Sequence, residues 1–222
     1  MAIPHQFIFG NSGGGTVPPT PPTPEIIPTL LECYPLAEAT ESVSTSSAAW
    51  QGVSQSFLLQ PLEESYHQEF SHLWVQFYTE KPAVAGYRFK IGLYAVSDND
   101  PNESTLVGMS DVKSSIGAEG GWKHIRINPL YSGRIVLDGS VQYRIALFTD
   151  AFYTPGEFVF KCKPYSDWTQ PFKSSHVTSP PGADVNTDNE NLVTVRHEGW
   201  ISDKYLWFGV CPPEAATEES LP

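Results

Sequence analysis

Tyr87-Arg88-Phe89-Lys90-Ile91-Gly92-Leu93-Tyr94-Ala95 decides the fold class. Tyr87, Phe89, Ile91, Leu93 and Ala95 fall on one side of an extended chain. Arg88, Lys90, Gly92 and Tyr94 fall on the other, the period of two that a β-strand imposes. The first set is apolar and the second is wetter, so a strand with one buried face is predicted. Val141, Tyr143, Ile145 and Leu147 alternate in the same way with Gln142, Arg144 and Ala146. Leu73, Val75 and Phe77 alternate with Trp74, Gln76 and Tyr78. Both of those faces are bulky, which predicts a central strand or one covered on both sides.

Working outward, further strands are expected near 54–60, 104–109, 121–128, 133–137, 157–163, 191–198 and 204–211. Asp138-Gly139-Ser140 reads as a hairpin turn between two of them. Gly120-Gly121 and Pro155-Gly156 are turn signals as well. No amphipathic helix of three turns is found. Short helical pieces are expected at 29–38 and at 61–68, where Pro61 suits a helix start. The segment 174–190 reads as a long polar loop. About ten strands without a long helix mean a two-sheet sandwich or a barrel. The expected class is all-β, a jelly-roll-like two-sheet antiparallel β-sandwich.

Several of these stretches carry a resemblance. Leu73-Trp74-Val75-Gln76-Phe77-Tyr78 is followed by Ile91-Gly92-Leu93-Tyr94 and by Gly121-Trp122. Then comes Val136-Leu137-Asp138-Gly139-Ser140-Val141-Gln142-Tyr143-Arg144-Ile145-Ala146-Leu147-Phe148. Together they resemble the jelly-roll modules of bacterial surface and phage structural proteins, including virion accessory proteins of the capsid-decoration and head-fibre kind. The likeness runs over roughly residues 55–165, about half the chain. It implies a jelly-roll fold and a role in decorating virions or binding glycans.

Composition narrows the role. The chain has 222 residues, enough for one domain with a proper core, and 13% of them are aromatic, against wholesale disorder. Lys and Arg number 13 against 25 Asp and Glu, a formal charge of -12. Residues 1–80 carry eight glutamates and no Lys or Arg. Such a chain is poorly suited to phosphate backbones or anionic membranes. No run approaches the roughly 20 apolar residues of a membrane helix.

The organisation is read in three parts. Residues 1–24 contain a short apolar peptide (Ile3, Phe7, Ile8, Phe9), a glycine hinge and a Pro-rich spacer of polyproline type. That arm is either a solvating tail or an anchor that docks on another protein and holds the domain away from it. Residues 25–211 are the β-sandwich, and 212–222 an acidic, solvated tail. The first residues have no basic n-region, so assembly in a cytoplasm is expected. Cys33, Cys162 and Cys211 form no metal pattern and are expected as free buried thiols, with a Cys162–Cys211 bridge as the alternative.

Candidate chemistry is sparse. Asp98-Asn99-Asp100-Pro101-Asn102-Glu103 and Asp184-Val185-Asn186-Thr187-Asp188-Asn189-Glu190 could offer alternate oxygens to Ca²⁺. Asp184, Asn186 and Asp188 are the weak calcium candidates. Asn189 stands where an EF-hand loop needs Gly, and Val195 where it needs Glu. Asp and Asn also dominate ordinary turns, so no cofactor is expected. No nucleophile elbow, zinc motif or strand-borne acid pair is present, and an enzyme is not expected. His124 and His197 lie in strands and read as exposed or hydrogen-bonded structural residues. Tyr153, Tyr165, Asp167 and Trp168 could form an aromatic platform for a sugar, or plug the end of the sandwich.

The expectation is a non-enzymatic accessory protein of a tailed-phage virion, a capsid decoration (cement or head-fibre) protein. Its partners would be a capsid, neck or tail protein and further copies of itself, and its place the virion. The alternative is a glycan-binding adhesin or receptor-binding module for a host-surface glycan. Neither nucleic acid nor membrane insertion is expected.

Overall fold

The structure is a computed structural model that describes residues 29–44, 54–79, 88–113, 121–131, 133–149, 159–164, 174–199 and 204–216. Within them the chain is all-β, and every strand pairing is antiparallel. The strands are β1 (Leu31–Glu32), β2 (Glu41–Ser44), β3 (Gln55–Leu58), β4 (His67–Phe70), β5 (Leu73–Thr79), β6 (Phe89–Val96), β7 (Glu103–Met109) and β8 (Gly121–Ile127). They continue with β9 (Ile135–Asp138), β10 (Tyr143–Thr149), β11 (Val159–Pro164), β12 (Ser174–Ser179), β13 (Thr194–Gly199), β14 (Lys204–Leu206) and β15 (Gly209–Cys211).

One sheet does not stay open. Strands β10, β3, β12, β13, β7 and β6 close into a six-stranded barrel. A seven-stranded sheet in the order β1-β15-β5-β11-β14, with β2 on β11 and β8 on β5, packs against its wall. β4 and β9 form a separate ribbon.

Closure gives β6 and β10 two buried faces. Phe89, Ile91 and Leu93, with Tyr143, Ile145 and Leu147, join the main core between barrel and sheet. That core is rich in rings, with Phe77 5.4 Å from Phe160 and Phe57 5.5 Å from Phe208. Lys90, Gly92, Tyr94, Arg144, Ala146 and Phe148 face the bore. The expectation of a wetter face is corrected here: these side chains are buried too, because curling the sheet removes that face from water. β5, flanked by β15 and β8, is central as expected.

Other expectations change. Of the two short helical pieces, the one at 29–38 reduces to a 3-10 helix at Leu36–Glu38 after β1, and 61–68 instead run through a turn into β4. The supposed loop at 174–190 begins with β12, which hydrogen-bonds to β3 and β13. Asp138-Gly139-Ser140 is a turn, yet its flanking strands do not pair with each other; β9 pairs with β4, and β10 with β6 and β3. Contact with 63–66 sets that turn, for Gly139 N donates to Tyr66 O and a Cβ on Gly139 would lie 1.8 Å from Glu63 O. The expected strand 204–211 breaks into β14 and β15 at Trp207-Phe208. There the chain changes partner, β14 pairing with β11 and β15 with β5, while Phe208 packs on Phe57 and Phe77 and Trp207 on Trp122.

Candidate functional site

One end of the bore is closed by the segment between β12 and β13. Ala183 and Leu192 complete an apolar cluster with Tyr94, Met109, Ala146, Phe148, Val177 and Val195. Tyr94 Oη donates to Leu192 O at 3.0 Å, and Ser54 Oγ to Ala183 O at 2.8 Å. Leu106 N and Val185 N add backbone bonds to Val193 O and Thr149 O.

The calcium candidates lie in this closing segment. Asp184 Oδ1 accepts from Asn186 N at 2.7 Å, and Asp184 N donates to Thr187 Oγ1 at 3.0 Å. These are turn bonds of the kind Asp and Asn make locally. The cation at the loop is the protein's own. Lys90 reaches up from β6 and donates to Thr187 O and, at 3.1 Å, to Asn189 Oδ1. Arg88 Nη2 donates to Asn186 Oδ1 at 2.8 Å. Burial lowers the Lys90 pKa below the usual lysine range, while Asp188 and Asp184 oppose that shift. A cleft of about 630 Å³ lies over this spot, lined by Lys90, Val112, Val185 and 186–190. The other acidic run is also a turn: Asp100 accepts from Asn102 N and pairs with Arg196 Nη1 at 3.0 Å. Among the described residues no three His, Cys, Asp or Glu side chains are placed to hold a metal.

The far half of the bore is polar. Ser56 Oγ lies 2.8 Å from Ser175 Oγ and 2.8 Å from His197 Nδ1, and Arg144 Nη1 donates to Ser175 Oγ at 3.1 Å. His197 Nε2 and Ser104 Oγ are buried without a hydrogen-bond partner. Burial first, and Arg144 second, hold the His197 pKa down to about 3. The sequence reading took His197 as structural but missed the cluster. The signal was faint: Ser54 and Ser56 alternate in a stretch that reads as a strand, but Ser175 and Val177 alternate in one that reads as polar loop.

The outer face of the seven-stranded sheet carries aromatic rings. Tyr78 and Trp122 are half-buried, with centroids 5.3 Å apart, and Trp122 meets Trp207 at 5.4 Å. Beside them His124 Nε2 bonds Gln76 Oε1 at 3.0 Å. The Cys162–Cys211 alternative falls, since Cys33, Cys162 and Cys211 are all free and buried. Ile3, Phe7, Ile8, Phe9, Tyr153, Tyr165, Asp167 and Trp168 lie outside the described residues.

The two ends of the described chain meet at one edge of the same sheet. Leu30 N donates to Val210 O at 2.7 Å, and Leu31 pairs with Val210. Just beyond β15, Pro213–Ala215 makes a 3-10 turn whose Pro213 O accepts from Trp74 Nε1 of β5 at 3.1 Å. Among the described residues no helix is long and apolar enough to cross a membrane. No protein-family model matches the chain, and no curated protein matches it either.

Proposed function

We propose that the protein is a non-enzymatic structural accessory protein of a tailed-phage virion, a capsid decoration module of the cement or head-fibre kind. Its body would be a variant of the jelly-roll-like sandwich in which one sheet has closed on itself. The observation that carries the reading is the common edge of the chain ends. Residues 29–31 and 209–213 lie together on β15 and β5, and residues 1–28 join the domain there. A docking peptide at Ile3, Phe7, Ile8 and Phe9 would hold the body by that edge. The plugged barrel would then be presented outward. Repeated copies, arranged symmetrically, would supply avidity.

Co-sedimentation with purified phage capsids tests this. Wild-type protein is expected to pellet with capsids, and a full-length variant with Ile3, Phe7, Ile8 and Phe9 changed to Ser is expected to stay soluble. Equal pelleting of both, or of neither, counts against an N-terminal anchor. A second reading, glycan binding, is favoured by the half-buried Tyr78–Trp122 ring pair, since a pyranose has an apolar face that suits such rings. Binding on a glycan array that is lost in Trp122→Ala would select it.

A further inference from the structure

The outer face of the seven-stranded sheet already holds one proline pair. Pro212 is extended, at φ -70° and ψ 167°, and Pro213 O accepts from Trp74 Nε1 at 3.1 Å. Trp207 uses its indole N–H in the same way, on Tyr34 O at 2.9 Å. Trp122 is the third indole of the group. It is half-buried, edge-on to Tyr78 with centroids 5.3 Å apart, and backed by Trp207 at 5.4 Å. Among the described residues neither Trp122 Nε1 nor Tyr78 Oη has a hydrogen-bond partner.

The chain that precedes the described residues enters beside these rings. Thr29 Cγ2 and the Trp207 ring edge both crowd the point where a Cβ on Gly209 would stand, the ring at 3.0 Å. Gly209 pairs with Gln76, and Tyr78 is the next residue of β5 on that face. Tyr78 in turn pairs with Trp122. Pro18-Pro19-Thr20-Pro21-Pro22-Thr23-Pro24 ends five residues before Thr29. Five extended residues span up to about 17 Å, so the segment reaches the ring pair. Its sequence repeats with a period of three, one turn of a polyproline II helix. Pro18, Pro21 and Pro24 line one edge, Pro19 and Pro22 a second, and Thr20 and Thr23 the third. Such a helix has no internal hydrogen bonds, so its carbonyls are open acceptors, and aromatic-lined grooves are its usual receptors.

We propose that this proline segment lies across the Tyr78–Trp122 pair of its own chain, with a proline edge on the rings and Trp122 Nε1 donating to one of its backbone carbonyls. Two features favour it over a partner from outside. The segment is tethered a few residues from the site, at an effective concentration on the order of millimolar. Its φ angles are preset by the proline rings, so little freedom is lost on docking. The contact fixes the direction in which residues 1–17 leave the domain, and it does not depend on what Ile3, Phe7, Ile8 and Phe9 hold. A glycan would reach these rings only by displacing the segment.

NMR of the full chain reads the contact. In the wild type, nuclear Overhauser contacts are expected between the Tyr78 and Trp122 rings and the proline Hδ atoms of residues 18–24. The Trp122 indole N–H is expected to exchange about tenfold more slowly than in a full-length variant with Pro18, Pro19, Pro21, Pro22 and Pro24 changed to Ser, the ratio that one net hydrogen bond gives. Should that variant not fold, the wild-type ring–proline contacts decide. Their absence, or equal exchange of the Trp122 N–H in both proteins, overturns the proposal. Contacts that grow with protein concentration put the segment of a second copy on the rings and overturn the intramolecular arrangement.

Discussion

Gly92 faces the bore between Tyr94 and Met109. A Cβ there would lie 2.6 Å from Tyr94 Cε2 and 3.0 Å from Met109 Cε. The tyrosine cannot swing aside freely, because its hydroxyl is tied to Leu192 O. Gly92→Ala is therefore expected to cost about 1–3 kcal/mol by overpacking, read as a lower urea midpoint at unchanged slope. Lys90 is the second sensitive residue. Lys90→Met keeps the stem but removes the donor that Thr187 O and Asn189 Oδ1 share. A loss of about 2–3 kcal/mol is expected, with faster hydrogen exchange at 183–193. A stability equal to wild type would show that the closing segment holds without the ammonium. Lys90 was readable as a strand residue, and Asp184, Asn186 and Asp188 as oxygen donors for a cation. That each served the other was not readable, because some ninety residues separate them and only the closed barrel brings them together.

At the scale of elements, β12 shows why polar strands escape sequence reading. Ser174-Ser175-His176-Val177-Thr178-Ser179 lacks the apolar alternation that revealed β6. Its inward residues meet a bore layer that is itself polar, so the burial signal is absent. Ser175→Ala removes both the Ser56 bond and the Arg144 acceptor. It is expected to lower stability by about 1–3 kcal/mol, measured by urea unfolding. An unchanged midpoint would mean that water replaces the hydroxyl without loss. The opposite error came at 204–211, where apolar residues suggested one strand. There the chain moves from pairing with β11 to pairing with β5, and the ladder is interrupted between them. β5, β6, β7, β8, β10 and β13 were legible because alternation or β-rich composition marks them whatever they pack against.

For the molecule as a whole, the thiols report the integrity of the core. Cys33, Cys162 and Cys211 are buried and free. Burial pushes Cys33 and Cys211 up to about 12 from an ordinary 9.0. Alkylation at pH 8 is expected to proceed only as fast as the protein unfolds, and reaction of one thiol in the native state would reveal a local opening. The same shifts set an alkaline limit. Unfolded thiols ionise near 9.0 and the buried pair only near 12, so their contribution is complete below pH 9 and is lost as pH rises toward 12. Urea midpoints at pH 8 and pH 10.5 measure the decline. By itself the sequence determined the all-β class, most of the long strands and the acidic balance. Those follow from alternation and composition, which are local or additive. Only the tertiary structure decided that one sheet closes into a barrel, that Lys90 occupies the acidic loop, and that Arg144, Ser175, Ser56 and His197 form one chain. Those depend on which strands become neighbours, and that is settled by non-local packing of faces whose residue types look the same whether they meet water or each other.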